Sequence, residues 1–333
     1  MLKKVAAVVT VGFAMAATMW GAAAAAVPPL TVYGRLPNIE QVEISPDGAK
    51  LAISVTDGEK RMVLIREQRP GGKLLAGLNM GDTKLRDVRW AGPDHVLITA
   101  SSTAEVAGLS GPKREYWMGF DYNLVTQKQK LLMAGQEDAM NVILATPVVR
   151  FIDGVPHAFI EGVHFVNHQG MNTLYRVNLK TGVTRRLDRG GAENTDSWLV
   201  SPEGLPLAQS IYDEKQGAWS LKIKADNGWI IAEKAVSKMG SHGLGGLGRD
   251  GRSVLVWMND EDDDDKVLLR EYALDGSHVV IPDSEKYDSV IHAPDGSSLV
   301  GAFSLVGDVV FAASGQFYEQ EVQRRLFKPL LFG

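Results

Sequence analysis

Apolar residues in this chain fall in short runs of four to eight, each cut off by Gly, Asp, Asn or Pro, and no sustained helical spacing precedes Gln316. Leu51-Ala52-Ile53-Ser54-Val55, Val96-Leu97-Ile98-Thr99-Ala100 and Ser253-Val254-Leu255-Val256-Trp257-Met258 are typical. Runs of this length, rich in β-branched and aromatic residues and bounded by turn formers, predict strands. The breaks between them also recur. Ser45-Pro46-Asp47-Gly48 stands between two such runs, and its Pro, Asp and Gly suit successive turn positions, which predicts the tip of a β-hairpin. Related turns follow around Asp94, Asp153, Glu203, Asp250 and Asp295, at steps of 47, 59, 50, 47 and 45 residues.

A repeat of about 45–50 residues holding about four strands predicts a β-propeller blade, since a lone four-stranded sheet cannot bury both faces. The expected fold is therefore all-β, a propeller of six recognisable four-stranded blades. A parallel β-helix is the rival, but its coils are much shorter. Ser101 to Pro112 reads as an insertion in the second unit, and 259–266 as a loop in the fifth.

Composition adds an address. Lys3 and Lys4 precede an uncharged run from Val5 to Trp20, then Gly21 and five alanines, which predicts a secretory signal peptide over 1–26. The expected organisation is that leader, a propeller over 27–315 and a helix-like tail over 316–333. Removing the leader takes the formal charge from −5 to −7. An acidic product gives no reason to expect nucleic acid as a partner, nor a membrane once the leader is cut. The chain has no cysteine, which excludes disulfides, thiolate catalysis and Cys-ligated zinc. A periplasmic or secreted location is expected.

The turns at Ser45-Pro46-Asp47-Gly48 and Ala293-Pro294-Asp295-Gly296 resemble those in the propeller of the prolyl oligopeptidase family of serine peptidases. So do Tyr33-Gly34-Arg35-Leu36-Pro37, Leu109-Ser110-Gly111-Pro112-Lys113-Arg114-Glu115 and 245–253, which look like exported dipeptidyl aminopeptidase or acylaminoacyl-peptidase members. The likeness runs from about Leu30 to Phe317. It implies a propeller that filters peptides toward a serine-peptidase domain, in a ring with one blade more than the six visible here. Against that pattern the chain reads as truncated: the final blade and the α/β-hydrolase domain are missing, and no Gly-x-Ser-x-Gly nucleophile elbow occurs. No catalytic residue is assigned, and no peptidase activity of its own is expected. Expected partners are peptides, if a catalytic domain is joined, and further copies of the chain through open blade edges. A stand-alone periplasmic scaffold or binding module is the alternative.

Other patterns carry less. Gly243 to Gly248 matches Gly-x-Gly-x-x-Gly, but a turn and a strand follow where a dinucleotide site needs a helix. His164 and His168 have metal-ligand spacing but no Glu between them, and read as a surface pair by a hairpin. The acidic run 259–266 lacks the Gly of a calcium loop and reads as a solvated hairpin tip. Trp90, Trp117, Trp198, Trp219 and Trp257 read as packing between blades. No cofactor and no metal site is assigned.

Overall fold

The computed structural model describes residues 37–313 apart from 58–59, 106–111, 189–194, 238–241, 261–262, 264–265 and 307–308. The leader, the lead segment before Pro37, the tail and Leu109-Ser110-Gly111 lie outside the described residues.

Described residues form consecutive antiparallel sheets, each a meander whose neighbours in space are neighbours in sequence. Blade 1 is β1 (Ile39–Ile44), β2 (Lys50–Thr56), β3 (Arg61–Glu67) and β4 (Leu74–Asn79). Blade 2 is β5 (Lys84–Trp90), β6 (His95–Ala104), β7 (Arg114–Asn123) and β8 (Lys128–Leu131). Blade 3 is β9 (Val148–Ile152), β10 (Val155–Val166), β11 (Gln169–Asn178) and β12 (Thr184–Asp188). Blade 4 is β13 (Thr195–Val200), β14 (Pro206–Asp213), β15 (Ala218–Ala225) and β16 (Gly228–Val236). Blade 5 is β17 (Gly243–Leu247), β18 (Val254–Asn259), β19 (Val267–Tyr272) and β20 (His278–Val280). Blade 6 has three described strands, β21 (Ser289–His292), β22 (Leu299–Val306) and β23 (Val309–Ala313), rather than the expected four.

Each expected turn joins the first and second strands of its blade. One sequence reading needs correction here, and one strand had not been read. Ser101 to Ala104 are not insertion but the end of β6, paired with Arg114 to Trp117 of β7. The glycines from Gly243 to Leu247 form the first strand of blade 5, with a bulge at Leu244/Gly246 that Gly246 accommodates at φ 106°.

The core lies between blades. Val96, Ile98 and Ala100 of β6 pack with Val63 and Ile65 of blade 1. Leu97, from the opposite face of the same strand, packs with Ala158, Ile160 and Tyr175 of blade 3. Phe159 and Leu174 of blade 3 meet Trp198 and Val200 of blade 4. In blade 5, Val254 and Val256 meet blade 4, and Leu255 and Leu269 meet blade 6. A strand covered on both sides needs apolar residues at successive positions, which is why β6 and β18 read as continuous runs. Each such buried Val, Leu or Ile contributes about 1.5–3 kcal/mol.

Candidate functional site

The six first-to-second-strand hairpins meet at one end of the molecule. Four of the tips are built alike, with the amide of Gly48, Gly204, Gly251 and Gly296 each donating to the carbonyl three residues earlier. Asp47 accepts from the Ser45 hydroxyl at 2.5 Å and the Ala49 amide at 3.1 Å. These bonds hold its carboxyl below the usual value, the Ser45 bond most strongly. Asp295 is lowered in the same way by Ser297, and Glu203 by Ser201. Burial pushes Asp250 up, but the Ser253 and Arg252 amides outweigh it and the net shift is downward.

Neighbouring tips touch. Lys50 Nζ reaches the Pro93 carbonyl at 2.9 Å, tying blade 1 to blade 2. A Cβ on Gly251 would stand 2.7 Å from the Ser297 carbonyl, so the fifth and sixth tips are in close contact. The centre of this end is Arg150, on β9, only 7% exposed. Its Nε donates to Ser201 O at 3.0 Å, and its Nη1 to Val149 O at 2.9 Å and Asp295 O at 2.8 Å. Nη2 donates to Val200 O at 3.2 Å and Gly296 O at 3.4 Å. Burial pulls this guanidinium below its usual value, and the charges of Asp295 and Glu203 oppose that. A guanidinium has five N–H donors. All five are spent on carbonyls of blades 3, 4 and 6, so Arg150 is a keystone with nothing left for a ligand.

A second buried polar pair lies in blade 2. His95 Nδ1 approaches both carboxylate oxygens of Asp121, at 2.9 and 3.1 Å. Asn123 Oδ1 accepts the Val125 and Thr126 amides, which turns its Nδ2 toward His95 Nε2 at 3.3 Å. The imidazole therefore carries its proton on Nδ1. A hydrolytic triad would need a hydroxyl at the position Asn123 fills.

At the other end of blade 2 the charges are open to solvent. Glu115 of β7 accepts from the Ser101 hydroxyl at 2.7 Å and from Lys84 at 3.3 Å, and pairs with Arg86. The Ser101 bond and then Arg86 lower its carboxyl to about 2. Arg86 also lies 5.6 Å from the ring centre of Trp117, within cation–π range. Lys84, Arg86 and Glu115 are each a third to a half exposed. Cation, anion and aromatic face stand side by side here, which suits peptide side chains and termini.

The residues singled out in the sequence do not come together. His164 is buried on β10, with its Nε2 accepting from Arg186 at 2.6 Å, while His168 sits in the hairpin turn at φ 66°. The expected surface pair is thus split, because β10 runs on to Val166 and takes His164 into the sheet. Among the described residues no cluster of three or more His, Asp and Glu could hold a metal. The acidic run does form the tip between β18 and β19, where the Asp260 amide donates to Lys266 O at 2.8 Å. Trp90, Trp198 and Trp219 are buried, and Trp117 and Trp257 pack partly buried against blade junctions. Trp219 Nε1 bonds Ser210 Oγ and Trp90 Nε1 bonds Glu43 O, whereas Trp198 Nε1 has no partner among the described residues.

Sequence reasoning missed Arg150, the His95–Asp121 pair and Glu161. It also missed a cavity of about 340 Å³ between blades 2 and 3, lined by Asp121, Lys130, Leu132, Val177 and Leu179. A His and an Asp on adjacent strands were visible, but nothing in the sequence fixed their register.

No family model matches this sequence, and no curated protein does. Among solved structures, an oligogalacturonate lyase in complex with manganese is 12% identical over 84% of this chain and 78% of its own, with a TM-score of 0.50. A prolyl endopeptidase is 18% identical over 81% of this chain, with a TM-score of 0.41. Dipeptidyl peptidase 4 of Porphyromonas gingivalis is 13% identical over 74%, also at 0.41. The chain spans 35% and 39% of the length of those two peptidases. At such identities the likeness concerns fold alone: the chain is an all-β protein with a β-propeller fold.

Proposed function

We propose that this chain is a non-catalytic, substrate-restricting propeller of the kind that accompanies a serine-peptidase domain in the prolyl oligopeptidase family, exported by the leader over 1–26. It handles peptides at the end of blade 2 remote from Arg150. The observation that carries this reading is the exposed Lys84, Arg86 and Glu115 beside the partly buried ring of Trp117, in a chain with no nucleophile elbow. Calorimetric titration with peptides of four to eight residues tests it. Binding that weakens with Glu115→Gln is expected, together with no labelling by a fluorophosphonate probe. Stoichiometric labelling of a serine, or no peptide binding, overturns it.

A stand-alone binding module is the second reading. The cavity between blades 2 and 3 favours it, because a side cavity serves a small ligand without any neighbouring domain. Reading the coding frame past the codon for Gly333 separates the two. A hydrolase-encoding frame supports the first reading and unrelated sequence the second.

A further inference from the structure

The cavity between blades 2 and 3 is lined by two opposite charges that do not meet. Register sets Leu97, Asp121 and Lys130 in line across β6, β7 and β8. Leu97 packs on blade 3, so all three stand on the face of blade 2 turned toward it. On the facing side, Val177 packs toward blade 2, and Thr184 of β12 lies opposite it in the register. The cavity of about 340 Å³ lies between these two faces, with Leu132 and Leu179 completing its apolar wall.

Asp121 is 4% exposed, and His95 is its hydrogen-bond partner. Asn123 Nδ2 donates to His95 Nε2, so the imidazole is neutral and leaves the charge of the carboxylate uncancelled. A charge buried without an opposite charge is costly. Lys130 stands directly opposite Asp121, where cross-strand Cβ atoms are about 5 Å apart, yet no ion pair joins the two. Its ammonium reaches blade 3 instead: a Cβ on Gly182, in the turn before β12, would lie 3.0 Å from Lys130 Nζ. There it has no carboxylate partner among the described residues. A cationic ligand alone would satisfy Asp121 but meet Lys130, and an anionic one alone would meet Asp121. A ligand with both charges suits both.

We propose that this cavity binds a free aliphatic amino acid, its ammonium on Asp121, its carboxylate on Lys130 and its side chain against Leu132, Val177 and Leu179. The volume is near the lower end of the roughly 300–1,000 Å³ of small-molecule pockets, which suits a ligand of this size. The inference rests on the second reading above, in which the cavity serves a small ligand, and names the class of that ligand.

Calorimetric titration of the whole chain with L-leucine, 3-methylbutylamine and 4-methylpentanoate tests it. The last two each keep the aliphatic body of leucine and one of its charged ends. Leucine should bind about 10-fold or more tightly than either, since each lacks one charge-assisted contact. Lys130→Gln should weaken leucine about 10-fold and not weaken 3-methylbutylamine. Asp121→Asn should weaken leucine and not weaken 4-methylpentanoate. Circular dichroism checks that both variants fold, and Lys130 is exposed, so its variant decides the matter if Asp121→Asn does not. Glu115→Gln should leave leucine binding as in wild type, which separates this site from the peptide-handling end of blade 2. Equal or tighter binding of either half-molecule overturns the zwitterion assignment and leaves the second reading standing. Leucine binding that Lys130→Gln does not change overturns it too. No binding of any of the three overturns the inference, and the coding frame past Gly333 then decides the second reading by itself.

Discussion

Asn172 lies diagonally across the β10–β11 pair from Glu161, whose direct partner is Leu174, and Asn172 Nδ2 donates to Glu161 Oε2 at 2.8 Å. The Trp198 amide approaches Glu161 Oε1 at 3.2 Å, and Asp196 is the nearby charge. Burial dominates, and the Glu161 carboxyl is pushed up to about 7. The carboxyl sits between blades 3 and 4, where ionisation has to be accommodated in the packed junction.

The folded form therefore favours protonated Glu161. Its contribution is fully present below the ordinary value of 4.5 and is lost as pH rises through about 7. The loss is about 3 kcal/mol. His242 and His292 are lowered, mainly by burial, and act in the opposite sense as pH rises through their unfolded value. The difference between wild type and Glu161→Gln cancels them. Urea unfolding at pH 5 and pH 8 should show the glutamine variant gaining on wild type at the higher pH by about 2–3 kcal/mol. An equal difference at both pH values contradicts the assignment.

Arg150→Ala should lower stability by about 3 kcal/mol or more, since it strands carbonyls from three blades and leaves a cavity. Arg150→Lys should recover only part of this, because an ammonium has three donors where five are used. Hydrogen exchange at the Ala293 and Gly296 amides should quicken in both variants, and more than at the Gly48 amide of blade 1.

Two glycines share a left-handed conformation but not their surroundings. At Gly204, φ is 78° and a Cβ would stand 2.7 Å from Phe159 Cζ and 2.8 Å from Ile152 Cδ1. At Gly154, φ is 74° and nothing lies within 4 Å. Gly154→Ala should cost about 1 kcal/mol of backbone strain, and Gly204→Ala about 2–3 kcal/mol once the overpacking is added. Urea midpoints that do not differ would contradict the close approach of the fourth hairpin to blade 3.

Cleavage of the leader should give an exported protein whose N-terminus lies between Ala23 and Pro28, read by intact mass. A protein that keeps Met1 in a membrane fraction would contradict this.

The hairpin tips were legible because their chemistry is local, with Pro, Asp and Gly each acting on its own backbone. Strands β2, β6 and β18 were legible as apolar runs. The outer strands of blades 2 and 5 were not. Lys128–Leu131 and His278–Val280 are exposed edges, and nothing in them needs to be apolar. Gly243–Leu247 was hidden by its glycines, which look like a loop until the bulge gives them a purpose. The keystone could not be read at all. Arg150 resembles any cation within a strand, and its partners are backbone carbonyls, which leave no mark in the sequence.

The order of assembly follows from where those carbonyls lie. Within each blade, pairing joins residues close in the chain, and such contacts form early. Arg150 reaches Ser201 across 51 residues and Asp295 across 145. Closing the longer span costs about 0.9 kcal/mol more in chain entropy. Blades 3 and 4 can therefore join first, and capture of the sixth hairpin comes last. A nascent chain still short of Asp295 holds a guanidinium whose donors to blade 6 are unused, and only the arrival of that hairpin completes its shell.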